Sequence, residues 1–231
     1  MSGRLGTPRV HHRATDSTSD RARALALAGA PHGTLVTAGA QHAGRGRQGR
    51  SWSAPPGRAL LMSLVLREWP PLLPIVGAVA VADVAGPQAA IKWPNDVLLD
   101  GRKLAGVLGE ARHQEGWAVL GIGLNVAVRA ADLPAELHDR AASLGLQPAD
   151  IEPMLERLLR ALDGRLVQPT GDLLADYRAR DALAGRAVRW AHGEGTARGV
   201  DGAGRLLVEL AGGERTALDA GEVHLQPAAR S

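Results

Sequence analysis

Apolar positions along the chain fall into short blocks punctuated by glycine and proline. Asp16-Ser17-Thr18 precedes an Ala/Leu-rich run to Ala28, and Gly29 follows it, which predicts a capped helix. Thr34 to Ala38 reads as a short strand, and Ala59 to Arg67 as an apolar run of strand length. Between them, Gln41 to Gly57 is a glycine-rich loop. Pro70-Pro71 interrupts the chain, and Leu72 to Val84 predicts a buried helix, kinked or started near Pro74. Residues 89–126 predict several strands. Residues 150–183 predict two helices, with Gly164 and Pro169 between them. From Gly185 the apolar runs shorten and alternate with Asp201-Gly202, Gly204 and Gly212-Gly213, the pattern of small hairpins. The expected organisation is a flexible arm over 1–13, a main domain over 14–184 and a β module over 185–231. That module is too small for a strong core of its own and is expected to dock on the main domain.

Composition narrows the classes. Of 231 residues, 45% are hydrophobic and 22% charged, which excludes wholesale disorder. Cysteine is absent, so disulfide scaffolds, zinc–thiolate sites and cysteine nucleophiles are excluded, and a cytoplasmic location is expected. The longest apolar stretch contains Pro74 and Asp83 and is too short to cross a membrane. Net charge is +3, and two of the 27 cations are lysines, Lys92 and Lys103. Their proximity is equally compatible with chance and with a need for compact ammonium groups. Aromatics make up 3%, few stacking platforms for single-stranded nucleic acid.

Three stretches could carry chemistry. From Gln41 to Arg58 there are four Arg, four Gly and no carboxylate. Glycines expose backbone N–H groups, and arginines offer forked donors to carboxylate or phosphate oxygens. Like charges this dense repel, so the loop is expected to be mobile until an anion arrives. Gly44 to Gly49 also fits G-x-G-x-x-G, but Ser51-Trp52-Ser53-Ala54-Pro55-Pro56 follows instead of a helix, which excludes the dinucleotide fold. A solvated basic loop touching nucleic acid is the plainer alternative. The second stretch is Lys92-Trp93-Pro94-Asn95-Asp96 with Arg102-Lys103-Leu104-Ala105-Gly106. Asp100-Gly101 predicts a hairpin pairing Leu99 with Arg102, Leu98 with Lys103 and Asp96 with Ala105, so that Lys103 reaches Asp96 diagonally. An acid, an amide and lysines on one face could bind an anion and its metal, or form an ordinary salt bridge. The third stretch, Gly121 to Asn125, puts Gly121, Gly123 and Asn125 on one strand face. A flat ligand lying on the glycines and close helix packing are both open readings. Walker A, G-x-S-x-G and H-E-x-x-H motifs do not occur.

Together these strings resemble the biotin protein ligases. The matches are Asp16-Ser17-Thr18, the G-R-G-R-x-G-R-x-W stretch ending at Trp52, K-W-P-N-D over Lys92 to Asp96, K-L-A-G over Lys103 to Gly106, and G-x-G-x-N over Gly121 to Asn125. They run in family order. A weaker match at Gly221-Glu222-Val223 falls where the family carries an SH3-like barrel. The resemblance implies an α+β fold: a mixed β-sheet flanked by helices, related to class II aminoacyl-tRNA synthetases, with a small C-terminal SH3-like β-barrel. It implies that biotin and Mg2+-ATP give biotinyl-5'-AMP, and that biotin then passes to a lysine of a biotin carboxyl carrier domain. Arg47 and Lys92 would neutralise the biotin carboxylate and the α-phosphate, with Asp96 orienting or deprotonating the acceptor lysine. Ser17, Thr18, Ser19, Gln41, Arg45, Gly46, Gly121 and Gly123 would complete the biotin site. Arg50, Trp52, Asn95, Lys103 and Asn125 would serve ATP, and no protein-held metal is implied. Ser19 stands where Asn is common, and His42 where a second Gln is often seen. Asp16 already begins the catalytic domain, so operator binding by a helix-turn-helix domain is not expected. A monomer or homodimer without membrane contact is expected. A lipoate or octanoate transferase shares the fold but lacks the paired motifs.

Overall fold

The computed structural model describes residues 4–219, 221 and 223–225. Strands β1 (Arg9–His12), β2 (Leu35–Ala38), β3 (Ala59–Leu66), β4 (Ala89–Lys92), β5 (Asp96–Leu99), β6 (Arg102–Arg112) and β7 (Trp117–Asn125) form one mixed sheet, in the order β1-β2-β3-β7-β6-β5-β4. The pairing of β1 with β2 is parallel, and the others are antiparallel. Helix α1 (Thr18–Leu27) covers one face, closing a small core of Ala22, Ala26, Val36, Val65, Trp117 and Val119. Helix α2 (Leu73–Ala85) covers the other, with α3 (Ile151–Leu166) and α4 (Thr170–Arg178) packed behind it. Because α2 is sandwiched between the sheet and these helices, nearly all its residues are buried, which explains an apolar run without a polar face.

Residues 187–225 build a second, antiparallel sheet: β8 (Ala187–Trp190), β9 (Gly193–Val200), β10 (Leu206–Glu209), β11 (Arg215–Leu218) and β12 (His224–Leu225). Its apolar residues Val188, Ala197, Val200, Leu206, Val208 and Val223 join the main core and share one buried cluster with α2. The Trp93 indole N–H donates to the Gly204 carbonyl at 3.0 Å, and Arg178 donates to the Val200 carbonyl at 2.9 Å. The expected docking of the small β module is thus observed. The fold class read from the sequence holds, with a mixed helix-flanked sheet and an SH3-like β module.

Three local expectations need correction. Within the 1–13 arm, residues 9–12 form β1, and Leu5 is buried; hydrogen bonding to β2, an Arg9–Glu152 ion pair and apolar burial outweigh the glycines and Pro8. Gly164 lies inside α3 rather than between the helices, and the break comes at Val167–Pro169, where proline cannot continue the helix. Asp96 pairs with Gly106, not Ala105, because a bulge between Val97 and Leu98 shifts the register after the Asp100-Gly101 turn. Residues 1–3, Ala220, Glu222 and 226–231, which belong to the terminal assignments and the weak C-terminal match, lie outside the described residues.

Candidate active site

The site starts as a row across the sheet. Register pairs Leu61 with Gly123, Gly123 with Gly106, Gly106 with Asp96, and Asp96 with Lys92. Directly paired residues share a face, so two glycines lie beside a carboxylate and an ammonium. The adjacent row on that face is Ser63, Gly121 and Leu108. Helix α1 presses on it so closely that a Cβ on Gly121 would sit 2.6 Å from Ser19 Oγ. Ser63 donates to Thr18 Oγ1 at 2.9 Å and lies 3.1 Å from Ser19 Oγ. Gln41 Oε1 accepts the Thr18 N–H at 2.7 Å. Ser17 is buried and caps α1, accepting from the Asp20 N–H.

The basic loop folds back over these rows. Gly44 accepts the Trp52 N–H at 2.8 Å, and Arg50 accepts the Gly46 N–H at 2.7 Å, around a 3₁₀ turn at Arg47–Gly49. The Trp52 indole then lies on the glycine row. A Cβ on Gly123 would come within 2.4 Å of the ring, and one on Gly106 within 3.2 Å. Of the two readings left open for the Gly121–Gly123 face, the structure shows close packing at Gly123, by the Trp52 ring. Lys103 Nζ stands 5.6 Å from the indole centroid, a cation–π distance, and 2.8 Å from Asp96 Oδ1.

Two clefts flank this arrangement. The first is lined by hydroxyls, amide and glycine backbone: Thr18, Ser19, Gln41, Gly46, Gly121 and Gly123, with Arg45, Trp52 and apolar Met62, Val107 and Ile122. The second is lined by Arg47, Arg50, Lys92, Asp96, Gly221 and Val223. Arg47, Asn95 and Lys103 line both, so the clefts meet there. Burial lowers the Lys92 pKa most, and the like charges of Lys103, Arg50 and Arg140 lower it further, against the attraction of Asp96. Burial also lowers Arg47, again opposed by Asp96; an arginine nonetheless stays charged at working pH. Neither Arg47 nor Lys92 has an ion-pair partner within 4 Å among the described residues. Two desolvated cations facing one cleft will hold an anion strongly.

Most of the residues singled out in the sequence thus converge. Asn125 does not: it is buried, lines neither cleft, and spends its amide N–H on the Ala142 carbonyl at 2.9 Å. That bond ties the chain that follows β7 to the strand. Asn95 reaches both clefts but donates to the Val107 carbonyl at 2.8 Å, which fixes the turn against β6. Ser63, Leu108 and Arg140 were missed. A lone serine in the apolar run of β3 was a usable signal; Arg140 carries none, since it nears Lys92 only because Lys103 pairs with the 140–141 backbone.

Residues 12–126 match the Biotin/lipoate A/B protein ligase family, and residues 185–225 match the Biotin protein ligase C terminal domain. The biotin–[acetyl-CoA-carboxylase] ligase of Mycobacterium tuberculosis is 37% identical over 241 residues, covering 92% of this chain and 87% of the relative. The chain belongs to the biotin protein ligases. Among solved structures, the biotin protein ligase from Aquifex aeolicus in complex with biotin and ATP has a TM-score of 0.78 at 25% identity, covering 96% of this chain and 100% of that one. The bifunctional ligase/repressor BirA of Bacillus subtilis is 42% identical over 152 residues; this biotin protein ligase chain spans about half of that relative's length (47%) and the match takes in 61% of its own.

Proposed function

We propose that this chain activates biotin with ATP and transfers the biotinyl group to a lysine of a biotin carboxyl carrier domain. The observation that carries the reading is the meeting of a cleft lined by hydroxyls, an amide and glycine backbone with a strongly cationic one at Arg47 and Lys103. Such a junction suits a small polar ring system with a carboxylate tail on one side and a polyphosphate on the other. In the first step a biotin carboxylate oxygen attacks the α-phosphorus of ATP. The bond from that phosphorus to the bridging oxygen breaks, and pyrophosphate leaves with the electron pair. Two anions must be brought together, so cations and positioning supply most of the rate. Arg47 and Lys92 neutralise the carboxylate and the α-phosphate. Arg50, Lys103 and Trp52 serve the nucleotide, and Mg2+ enters with ATP as part of that substrate. Thr18, Ser19 and Gln41 meet the polar ring end, over the Gly121 backbone.

In the second step the neutral amine of the carrier lysine attacks the acyl carbon, and AMP leaves. Asp96, held beside Lys103, orients the incoming lysine or takes its proton. We expect the protein to work as a monomer or homodimer. No described helix is long and apolar enough to cross a membrane. We place the reaction in the cytoplasm, where a cysteine-free chain is at no disadvantage. Relatives named for biotin, rather than lipoate, favour biotin as the acid. The test is pyrophosphate release from ATP with biotin, lipoate or octanoate, followed by addition of a carrier domain. Release with biotin alone and a mass gain on the carrier are expected. Arg47→Ala and Lys92→Ala should each cut the release by about 100-fold or more. Near-normal turnover in both variants would refute the assignment.

A further inference from the structure

The basic loop takes part in a second ion-pair system that this chemistry does not use. Arg45 Nη1 lies 3.0 Å from Asp20 Oδ1 on α1 and 3.5 Å from Glu110 Oε1 on β6. Arg45 lines the first cleft, yet its charge is already matched by carboxylates from two other elements. Arg47, two residues on, has no such partner within 4 Å among the described residues. The two arginines are therefore doing different things. Glu110 Oε2 is buried and has no hydrogen-bond partner among the described residues, so a second acceptor waits beside Arg45.

The geometry points to Asp20 and Glu110 as positioning residues that clamp Arg45 and hold segment 44–52 closed over the activated acyl group until the carrier arrives. This inference rests on the reaction proposed above. Arg45, Arg47 and Arg50 share segment 44–52 with no carboxylate, and their mutual repulsion favours an open loop. Carboxylates outside the loop offset that repulsion only while the loop is down. The side chains of Arg45, Asp20 and Glu110 are 38%, 43% and 23% exposed, so each pair is weak and screened by salt. A weak clamp suits a segment that opens in every turnover. A small inward shift would let the guanidinium fork engage both Glu110 oxygens. Closure matters because a mixed acyl–phosphate anhydride is lost to hydrolysis or release when water enters.

The test uses the full chain with Asp20→Asn and Glu110→Gln, singly and together. Arg23→Gln is the control, because Arg23 also pairs with Asp20 but lies within α1. In the ligand-free protein, backbone amides of 44–52 should exchange with solvent about three- to tenfold faster in the double variant. Added salt should speed exchange in the parent chain and have little further effect on the double variant. Arg23→Gln should leave the segment unchanged. With biotin and ATP but no carrier, steady pyrophosphate release should rise by a similar factor, reporting lost intermediate. Formation of the first equivalent should change by less than about twofold. Unchanged exchange in the double variant, or equal acceleration in Arg23→Gln, would overturn the clamp. Faster exchange without extra release would overturn its role in retaining the intermediate. A parent chain that releases no pyrophosphate with biotin would instead defeat the proposed reaction, and the exchange data would still decide the clamp.

Discussion

At the scale of single residues, Lys92 shows how burial tunes a cation. Burial and the neighbouring positive charges lower its pKa, so its charge is lost at a lower pH than that of an ordinary lysine. Between the folded and unfolded values the unfolded chain binds more protons, so this group makes stability rise with pH through that window. In the proposed reaction activity runs the opposite way, since a neutral Lys92 would not hold the anions. The kcat/KM for pyrophosphate release should fall on the alkaline side, with a midpoint below the ordinary lysine range. Lys92→Arg should move that limb to higher pH, whatever it does to the plateau. A limb that stays in place in Lys92→Arg would assign the titration to another group. The loop arginines of this site were legible in the sequence because Arg45, Arg47 and Arg50 crowd into residues 44–50 with no carboxylate among them. For Asn125 the strand face was legible but its hydrogen-bond partner was not. Ala142 lies 17 residues on, and no local pattern announces that contact.

At the scale of elements, strand β7 does two jobs with one alternation. Leu120, Ile122 and Leu124 enter the main core, while Gly121 and Gly123 leave the other face low. The alternation was readable in sequence; what fills the low face was not, because Trp52 arrives from a loop. Gly123→Ala puts a methyl 2.4 Å from the indole, and the strand backbone cannot yield. Trp52 should be displaced, with its emission shifted to the red. The KM for ATP should rise by about tenfold or more, since an aromatic stack and a cation–π contact are lost together. An unshifted spectrum with unchanged KM would show that the loop absorbs the methyl. The bulge in the β5–β6 hairpin teaches a related lesson. Asp100-Gly101 announced the turn, and the contact of Lys103 with Asp96 followed from it. The one-residue shift beyond Leu98 did not, because a bulge answers to packing across the sheet.

At the scale of the whole molecule, the small β module and the main sheet share one apolar cluster. Trp93 sits inside K-W-P-N-D, next to Lys92, yet it is buried and its indole holds the Gly204 carbonyl. Part of a motif that reads as chemistry is thus a fastening between modules. Trp93→Phe should remove one buried hydrogen bond and leave the carbonyl unpaired, a loss of about 1–3 kcal/mol. Urea unfolding followed by tryptophan emission and by far-UV dichroism should give coincident single transitions in both proteins, shifted to lower urea in the variant. Separate transitions for the two probes would mean that the modules unfold independently. The shared cluster also bears on how the protein is made. Residues 188–223 supply part of the core that supports Lys92, and a ribosome delivers them after the motifs from Asp16 to Asn125 have emerged. A growing chain therefore displays the motifs from Asp16 to Asn125 before it can hold them rigidly, and the later arrival of the β module, whose Gly221 and Val223 line the second cleft, decides when that cleft is complete.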